Sequence, residues 1–254
     1  MDNLKIFVAC HKPFNMVVTD NCFQPIHVGA KNSSIKIEGA IGDDTGLSIS
    51  DKNPIYCELT GLYWVWKNCQ DIEYVGLCHY RRFFAKNAFS IKNDYSILNG
   101  ECLLKEIEGY DIILPQESIK KEGNHYYIND CDYENDRVFI EITTAIKELY
   151  PEYLQAAIEV LKSKRMSFGN IMLSNKKVFD KYCDWLFSIE FYLEEFIESK
   201  FGSIDSREMG FISEWLLNIW VKHNKLNVKY LPVCMINDDS KYVRMIKQLK
   251  QKLM

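Results

Sequence analysis

The stretch Ile72–Phe84, IEYVGLCHYRRFF, joins a short apolar run to a basic cluster. Residues 74–78 are almost all apolar, which is typical of a strand buried on both faces of a sheet. His79, Arg81 and Arg82 follow where that strand should end. In open α/β sheets the ligand cleft lies beyond the carboxyl ends of the strands. The stretch therefore predicts cationic side chains at a cleft, or ordinary solvated charge if the strand lies at an edge.

Other short apolar runs alternate with longer segments of helical spacing, and this alternation predicts an α/β sheet with helices on its faces. Besides 72–80, strands are predicted at 4–10, 25–30, 110–115, 169–175 and 227–236. Helices are predicted at 53–68, 151–164, 176–199 and 210–224. The first of these helices has Asn53 as its N-cap and Pro54 at its first position, which are the favoured residues there.

Composition excludes several classes of protein. The 254 residues are 47% hydrophobic, enough for a substantial core. With 31 basic and 35 acidic residues the net charge is −4, so no nucleic-acid partner is expected. Nine cysteines without a C-x-x-C pair predict reduced thiols, and the first apolar run, 4–10, is too short for a signal peptide or a membrane span. We therefore expect a cytoplasmic protein.

The acidic, glycine-rich segment 39–53 contains neither the phosphate loop G-x-x-x-x-G-K-[ST] nor the dinucleotide motif G-x-G-x-x-G. An NTPase, a dinucleotide-binding fold and a nucleotidyltransferase therefore have no motif support. Asp43 and Asp44 lie in this segment. Their carboxylates could bind a ribose or a base of the donor, or they could fold the loop as turn residues.

Five stretches carry a resemblance over nearly the whole chain. They are KIFVACHKPF (5–14), GDDTGLSISDKNPIYCELTGLYWVWKN (42–68), YVGLCHYRRFF (74–84), FGNIMLSNKKVFDKYCDWLF (168–187) and REMGFISEWLLNIWV (207–221). In this order they resemble a family of bacterial proteins from capsule and exopolysaccharide gene clusters. That family was long described as a domain of unknown function and is now associated with glycosyltransferases, including galactofuranosyltransferases.

The resemblance implies one GT-A-like domain over residues 1–254, with a central mixed, mostly parallel sheet flanked by helices and a helical C-terminal part. Residues 1–115 would form the nucleotide-binding half, 116–240 the acceptor and catalytic half, and 241–254 an amphipathic tail. The implied activity is transfer of a hexose, for example galactofuranose, from a UDP-sugar to a growing, lipid-linked surface polysaccharide. The alternative is a non-catalytic nucleotide-sugar-binding partner of another transferase.

Sugar transfer requires positive charge at the departing diphosphate. Most GT-A enzymes supply it with Asp-x-Asp and a divalent metal, whereas this chain has His-Tyr-Arg-Arg at the end of its strand. We infer that Arg81 and Arg82, with His79 beside them, replace the metal, because guanidinium is always protonated and binds phosphate oxygens in a fork. The alternative is surface ion pairing, and successive strand residues point to opposite faces, so both arginines need not enter one site.

No cofactor is predicted, and magnesium or manganese is the alternative. Asp130 and Asp132 form an Asp-x-Asp sequence, and Asp238 and Asp239 follow the last strand. Carboxylate oxygens suit these metals. Asp130 does not follow an apolar strand, however, and loops rich in Asn and Asp are usually turns. Sensitivity of the activity to EDTA would distinguish the two hypotheses.

Glu214 is the candidate general base that deprotonates the acceptor hydroxyl. It is predicted near the start of the helix 210–224, where the helix N-terminus favours an ionised carboxylate. Glu208 and Asp205 are competing candidates. In the alternative interpretation Glu214 only complements the helix dipole.

Four further residues are candidate donor contacts. Gly169 and Asn170 could contact sugar hydroxyls, or they could form the turn that enters a strand. His11 and Lys12 follow the first strand and could touch the nucleotide, or Lys12 could be an ordinary surface residue.

Two segments could contact the acceptor or its membrane. The irregular segment around His125, Tyr126 and Tyr127 could be a lid whose aromatic rings stack on sugars, or it could pack on the domain. The amphipathic tail 241–254 could lie on the anionic inner face of the cytoplasmic membrane, beside a lipid-linked acceptor, or it could dock on its own domain.

Overall fold

The computed structural model describes residues 3–18, 20–87, 96–119 and 136–236. The predicted lid residues His125–Tyr127, the acidic pairs 130/132 and 238/239, and the tail 241–254 lie outside these ranges.

The strands of the described residues are β1 (Leu4–Cys10), β2 (Phe23–His27), β3 (Ile41–Gly42), β4 (Tyr74–His79), β5 (Arg82–Phe84), β6 (Ile112–Pro115), β7 (Ser118–Ile119), β8 (Arg165–Met166), β9 (Met172–Asn175), β10 (Val228–Leu231) and β11 (Val233–Met235). Helices are α1 (Asn53–Tyr56), α2 (Leu59–Asn68), α3 (Gly100–Ile107), α4 (Arg137–Leu149), α5 (Leu154–Lys162), α6 (Lys176–Phe201) and α7 (Glu208–His223).

The main sheet has the order β10-β6-β9-β4-β1-β2-β3, with β5 and β11 attached beside β4. Strand β1 is parallel to β2 and β4, β2 is parallel to β3, and β6 is parallel to β10. Strand β9 is antiparallel to both of its neighbours, β4 and β6. The predicted mixed, mostly parallel sheet is therefore confirmed. Because β9 runs in the opposite direction, it begins at the same sheet edge where β1 and β4 end.

The core lies on both faces of this sheet, and β1 shows the division. Ile6 and Val8 pack with α3 and β5 on one face. Phe7 and Ala9 pack with α2 and with helices α4 to α7 on the other face. A strand buried on both sides reads as a continuous apolar run, which is why β1, β4 and β6 were predictable from the sequence. Within the described residues, no helix is long and apolar enough to cross a membrane, and the eight cysteines are all free.

Three of the predicted elements are divided or shifted for a clear physical reason. The helix predicted at 53–68 is two helices, because Cys57 has φ 50° and ψ −128°, which is not helical. The strand predicted at 25–30 begins at Phe23 and ends at His27, since Gly29 with φ 71° turns the chain into a 3₁₀ turn. The strand predicted at 227–236 is divided at Pro232, which has no N–H to donate, and β11 pairs with β5 instead.

Six elements were not predicted from the sequence: the helices α3 and α4 and the short strands β3, β5, β7 and β8. Each of the two helices carries a signal that was overlooked, an Asn or Asp N-cap. The side chain of Asn99 accepts a hydrogen bond from the backbone of Cys102, and that of Asp136 accepts one from Phe139. Strand β5 has only three residues and is stabilised by pairing with the distant β11, which local sequence does not show.

Candidate active site

The basic cluster lies in a tight hairpin between β4 and β5. His79 and Arg82 are directly opposite each other across the two strands, and Tyr80 and Arg81 form the turn. Opposed residues of an antiparallel pair point to the same face, so the side chains of His79 and Arg82 lie on one side. Arg81 is exposed, with its guanidinium carbon 5.0 Å from the centre of the Tyr80 ring.

The hairpin borders a cavity of about 480 Å³ at the edge of the sheet where β1, β2 and β4 end. We call it the arginine cavity. Its walls come from the ends of these strands, from the turn between α1 and α2, and from the beginning of α7. The charged and titratable residues that line it, besides Cys57 and Tyr80, are His11, Glu58, His79, Arg81, Arg82, Arg207 and Glu214. The structure therefore brings together both predicted arginines, His79, His11 and the predicted base.

Arg207 is a third arginine in this cavity, and the sequence analysis did not nominate it. It precedes α7 with φ 69°, in the left-handed region, and its backbone N–H donates to the carbonyl of Pro54 at 2.9 Å. This bond ties the start of α7 to the start of α1. No motif or spacing relates position 207 to positions 81 and 82, because only the packing of α7 against the α1–α2 turn brings them together.

The fixed positive charge of the arginine cavity is carried by arginine and not by histidine. Burial lowers the pKa of His79, although Glu58, with its Oε1 atom 3.9 Å from His79 Nε2, acts in the opposite direction. Burial also lowers the pKa of His11, and the charges of Lys12, Arg81 and Arg207 lower it further. Both imidazoles are therefore mainly neutral at pH 7, whereas guanidinium remains charged.

Lys12 is exposed and does not line the arginine cavity. Its ammonium nitrogen lies 5.8 Å from the centre of the Tyr80 ring, and His11 meets the same ring edge to face. Lys12 is thus at the rim of the hairpin, and its contact with a nucleotide stays a prediction.

Glu214 lies between the arginine cavity and a second cavity of about 450 Å³, which we call the adjoining cavity. Three residues line both: Arg82, Glu214 and Met235. The remaining wall of the adjoining cavity is formed by Pro115, Gln116, Ser118, Ile119, Phe168, Gly169, Ile171 and Val233. The buried Glu214 side chain thus borders both cavities.

Contrary to the prediction from the sequence, Glu214 does not lie at the start of its helix. Helix α7 begins at Glu208, so Glu214 lies in its second turn, beyond the reach of the helix-dipole argument. The competing bases are placed elsewhere. Glu208 Oε1 is 2.7 Å from Arg137 Nη2, Asp205 Oδ2 is 3.7 Å from Arg137 Nη1, and neither lines the two cavities.

Gly169 and Asn170 both have positive φ, 96° and 50°, in the tight turn that enters β9. A Cβ atom at position 169 would lie 3.3 Å from Arg82 Nη1, so the glycine lets the guanidinium pass close to the backbone. Asn170 is only 5% exposed. Its Nδ2 donates to Glu58 Oε1 and Ser213 Oγ, both at 2.8 Å, and to the Gly210 carbonyl at 3.1 Å. The predicted sugar contact is therefore corrected: Asn170 lies behind Glu58 and does not line the cavity.

The family follows from a comparison with known sequences. A family model described as a domain of unknown function, DUF4422, matches residues 5–225. The chain belongs to the DUF4422 family. A search of curated proteins found no match.

A solved structure resembles this DUF4422 chain over most of its length. The apo structure titled WbbM bifunctional glycosyltransferase has a TM-score of 0.79 and 32% sequence identity, over 94% of this chain and 46% of that chain. Our chain thus spans about half the length of that protein. The DUF4422 chain has a GT-A-like α/β fold, as predicted.

The described residues of the DUF4422 cavities do not fit the divalent metal that is common in GT-A folds. No group of three or more His, Cys, Asp or Glu side chains within the described ranges is arranged to hold a metal ion. The arginine cavity is lined by the guanidinium groups of Arg81, Arg82 and Arg207, which repel a cation. We therefore derive no step through a metal.

The two loop aspartates differ in environment. Asp43 is fully buried, and its carboxylate accepts hydrogen bonds from the backbone of Gly29 (2.9 Å) and Ala30 (3.0 Å), from Thr60 Oγ1 (2.6 Å) and from Ser50 Oγ. Asp44 is exposed and does not line either cavity. These bonds show that Asp43 folds the loop, so the donor contact predicted for Asp43 is wrong. The position of Asp44 gives no support to the donor contact predicted for it.

Replacing Asp43 with alanine should destabilise this DUF4422 domain. The change removes the acceptor of four hydrogen bonds, two of them from backbone N–H groups, and leaves buried donors without partners. We expect the free energy of unfolding to fall by about 3–5 kcal/mol in urea titrations. The matched control is Asp44→Ala, which should change it by less than about 0.5 kcal/mol. Equal stabilities of the two variants would contradict the assigned role of Asp43.

Proposed function

We propose that this chain is a glycosyltransferase that moves a hexose from a UDP-sugar to a hydroxyl of a saccharide acceptor. The observation that carries the proposal is the junction of two cavities at Arg82 and Glu214. One cavity is lined by three arginines, and the other is largely uncharged. A nucleotide diphosphate requires the first kind of surface, and a sugar acceptor suits the second.

Arg81, Arg82 and Arg207 hold the diphosphate of the donor. Guanidinium binds phosphate oxygens in a bidentate fork and keeps its charge at any physiological pH. As the bond between the anomeric carbon and the diphosphate breaks, its electron pair stays on the departing UDP. Fixed cations beside that oxygen stabilise the charge that develops there. The two neutral histidines, His11 and His79, contribute hydrogen bonds and not charge.

Glu214 accepts the proton of the acceptor hydroxyl. The hydroxyl oxygen then forms a bond to the anomeric carbon while the bond to the diphosphate breaks. With the acceptor in the adjoining cavity and the leaving group in the arginine cavity, attack comes from the side opposite to the diphosphate. This arrangement supports direct displacement with inversion at the anomeric carbon.

The adjoining cavity supports a saccharide acceptor. Phe168, Ile171 and Val233 offer apolar surface for the faces of sugar rings, and Gln116 and Ser118 offer hydrogen-bonding groups. From the family resemblance we extend the proposal to a growing, lipid-linked surface polysaccharide, bound at the inner face of the cytoplasmic membrane. The arginine cavity takes residues from both halves of the chain, 1–115 and 116–240.

A donor screen tests this proposal. Thermal unfolding is measured with UDP- and GDP-linked sugars, and release of UDP is measured with oligosaccharide acceptors, with and without EDTA. We expect UDP-sugars to raise the melting temperature, since saturation at a hundred times Kd contributes about 2.7 kcal/mol, and we expect UDP release that EDTA does not stop. Binding without turnover on any acceptor would instead support a non-catalytic partner. Failure of all nucleotide sugars to bind would contradict the proposal.

A further inference from the structure

The turn between α1 and α2 holds a carboxylate in the arginine cavity. This residue, Glu58, follows Cys57, whose φ of 50° and ψ of −128° are unfavourable for a residue with a side chain. The turn is fastened by Asn53: its carbonyl accepts from the Cys57 N–H at 2.8 Å, and its Nδ2 donates to the Cys57 carbonyl at 2.7 Å. An unfavourable backbone conformation is thus maintained directly before a cavity residue.

One oxygen of Glu58 is fixed and the other is available. Oε1 accepts the hydrogen bond from Asn170 Nδ2 at 2.8 Å, and His79 Nε2 lies 3.9 Å away. Oε2 receives no hydrogen bond from the part of the chain that the structure describes. The side chain is 13% exposed and lines the arginine cavity. Because a carboxylate can accept about four hydrogen bonds, Glu58 retains acceptor capacity toward a ligand.

Asn170 connects this carboxylate to the candidate base. Its Nδ2 also donates to Ser213 Oγ and to the Gly210 carbonyl, and Ser213 immediately precedes Glu214 in α7. The amide is buried and has a left-handed backbone, so its position is set by the turn that enters β9. Glu58 and Glu214 are consequently held in a fixed relation on two walls of one cavity.

Charge decides which part of a nucleotide sugar can lie beside Glu58. The diphosphate is anionic, so it is attracted to the arginines and repelled by a carboxylate. The sugar is neutral and carries several hydroxyl groups, each of which can donate to a carboxylate. The reacting carbon must also lie near Glu214. The space between Glu58 and Glu214 is therefore suited to the sugar.

We propose that Glu58, positioned by Asn170, determines donor specificity by accepting hydrogen bonds from hydroxyl groups of the transferred sugar. The inference rests on the proposed function, because it assigns the sugar end of the same donor site. A site that accepts a buried hydroxyl discriminates strongly against an analogue without it, since the acceptor is then left unpaired.

The test compares dissociation constants for UDP, UDP-galactose and UDP-glucose, measured by calorimetry in wild type, Glu58→Gln and Glu58→Ala. We expect the affinity for UDP to change by less than about twofold. We call the UDP-hexose that binds the wild type more tightly the better UDP-hexose. The ratio of its affinity to that of UDP should fall about 10- to 100-fold in Glu58→Ala, and by an intermediate amount in Glu58→Gln. Glu195→Gln, an exposed residue of α6, is the matched control and should leave all constants unchanged.

A second measurement begins with wild-type protein alone. Wild-type protein is titrated with deoxy analogues of the better UDP-hexose, and one missing hydroxyl should lower its affinity at least about tenfold. That loss should disappear in Glu58→Ala. Equal wild-type affinities for UDP and both UDP-hexoses, or a deoxy penalty unchanged in Glu58→Ala, would overturn the role of Glu58 and leave the nucleotide site in place. If no UDP compound binds the wild type, the proposed function itself fails.

Discussion

Glu214→Gln should lower the turnover of sugar transfer by about 10²–10⁴-fold while the affinity for the UDP-sugar stays within about threefold. Glutamine has nearly the shape of glutamate but cannot take a proton from the acceptor hydroxyl. The side chain is only 6% exposed and borders both cavities, so bulk water is a poor replacement for it. Turnover is measured as UDP release with acceptor, and donor affinity by calorimetry.

The matched control is Glu208→Gln on the same helix. Glu208 pairs with Arg137 and lines neither cavity, so its substitution should affect stability more than turnover. If Glu214→Gln retains more than about a tenth of wild-type turnover, another group is the base. An equal loss of turnover in both variants would point to a general effect on α7.

Arg82→Ala should lower turnover by on the order of 10²–10³-fold and also weaken UDP binding. Arg82 is the arginine that lines both cavities, and its guanidinium passes within close range of Gly169 at the entry to β9. It is therefore the cation best placed beside the bond that breaks. Because guanidinium groups stay charged throughout this range, the loss should be the same from pH 6 to pH 9.

Two comparisons make the Arg82 prediction specific. Arg82→Lys keeps the charge but loses the bidentate fork, so it should recover only part of the lost turnover. Arg165→Ala, an exposed arginine in β8 that donates to the Glu117 carbonyl at 2.8 Å, should behave as wild type. Wild-type turnover in Arg82→Ala would contradict the assignment of the leaving-group site.

The sequence was sufficient for features that depend on local pattern. Strands β1, β4, β6 and β9 and helices α6 and α7 have apolar periodicity that burial requires, and the position of His79 at a strand end followed from it. The hairpin after His79 was not predictable, because its turn residues Tyr80 and Arg81 lack the Asn-Gly type of signal. The placement of His79 and Arg82 on one face follows from this hairpin and was therefore not predicted either.

The sequence was insufficient where distant segments meet. Arg207 and Glu58 enter the arginine cavity through the packing of α7 against the α1–α2 turn, and no spacing in the chain reports this contact. Residue type also did not indicate whether a small polar side chain faces the cavity or the interior of the protein. Asp43 and Asn170 both occur at the expected sheet edge, yet both are buried and bonded within the chain. Their roles depend on tertiary hydrogen bonds that a sequence does not specify.

A crystal structure with bound UDP would show directly whether the three arginines bind the donor. We expect diphosphate oxygens within hydrogen-bonding distance of at least one guanidinium group of Arg81, Arg82 and Arg207, with the β-phosphate toward the junction that contains Glu214. UDP bound outside the arginine cavity, or with its diphosphate turned away from all three arginines, would contradict this expectation.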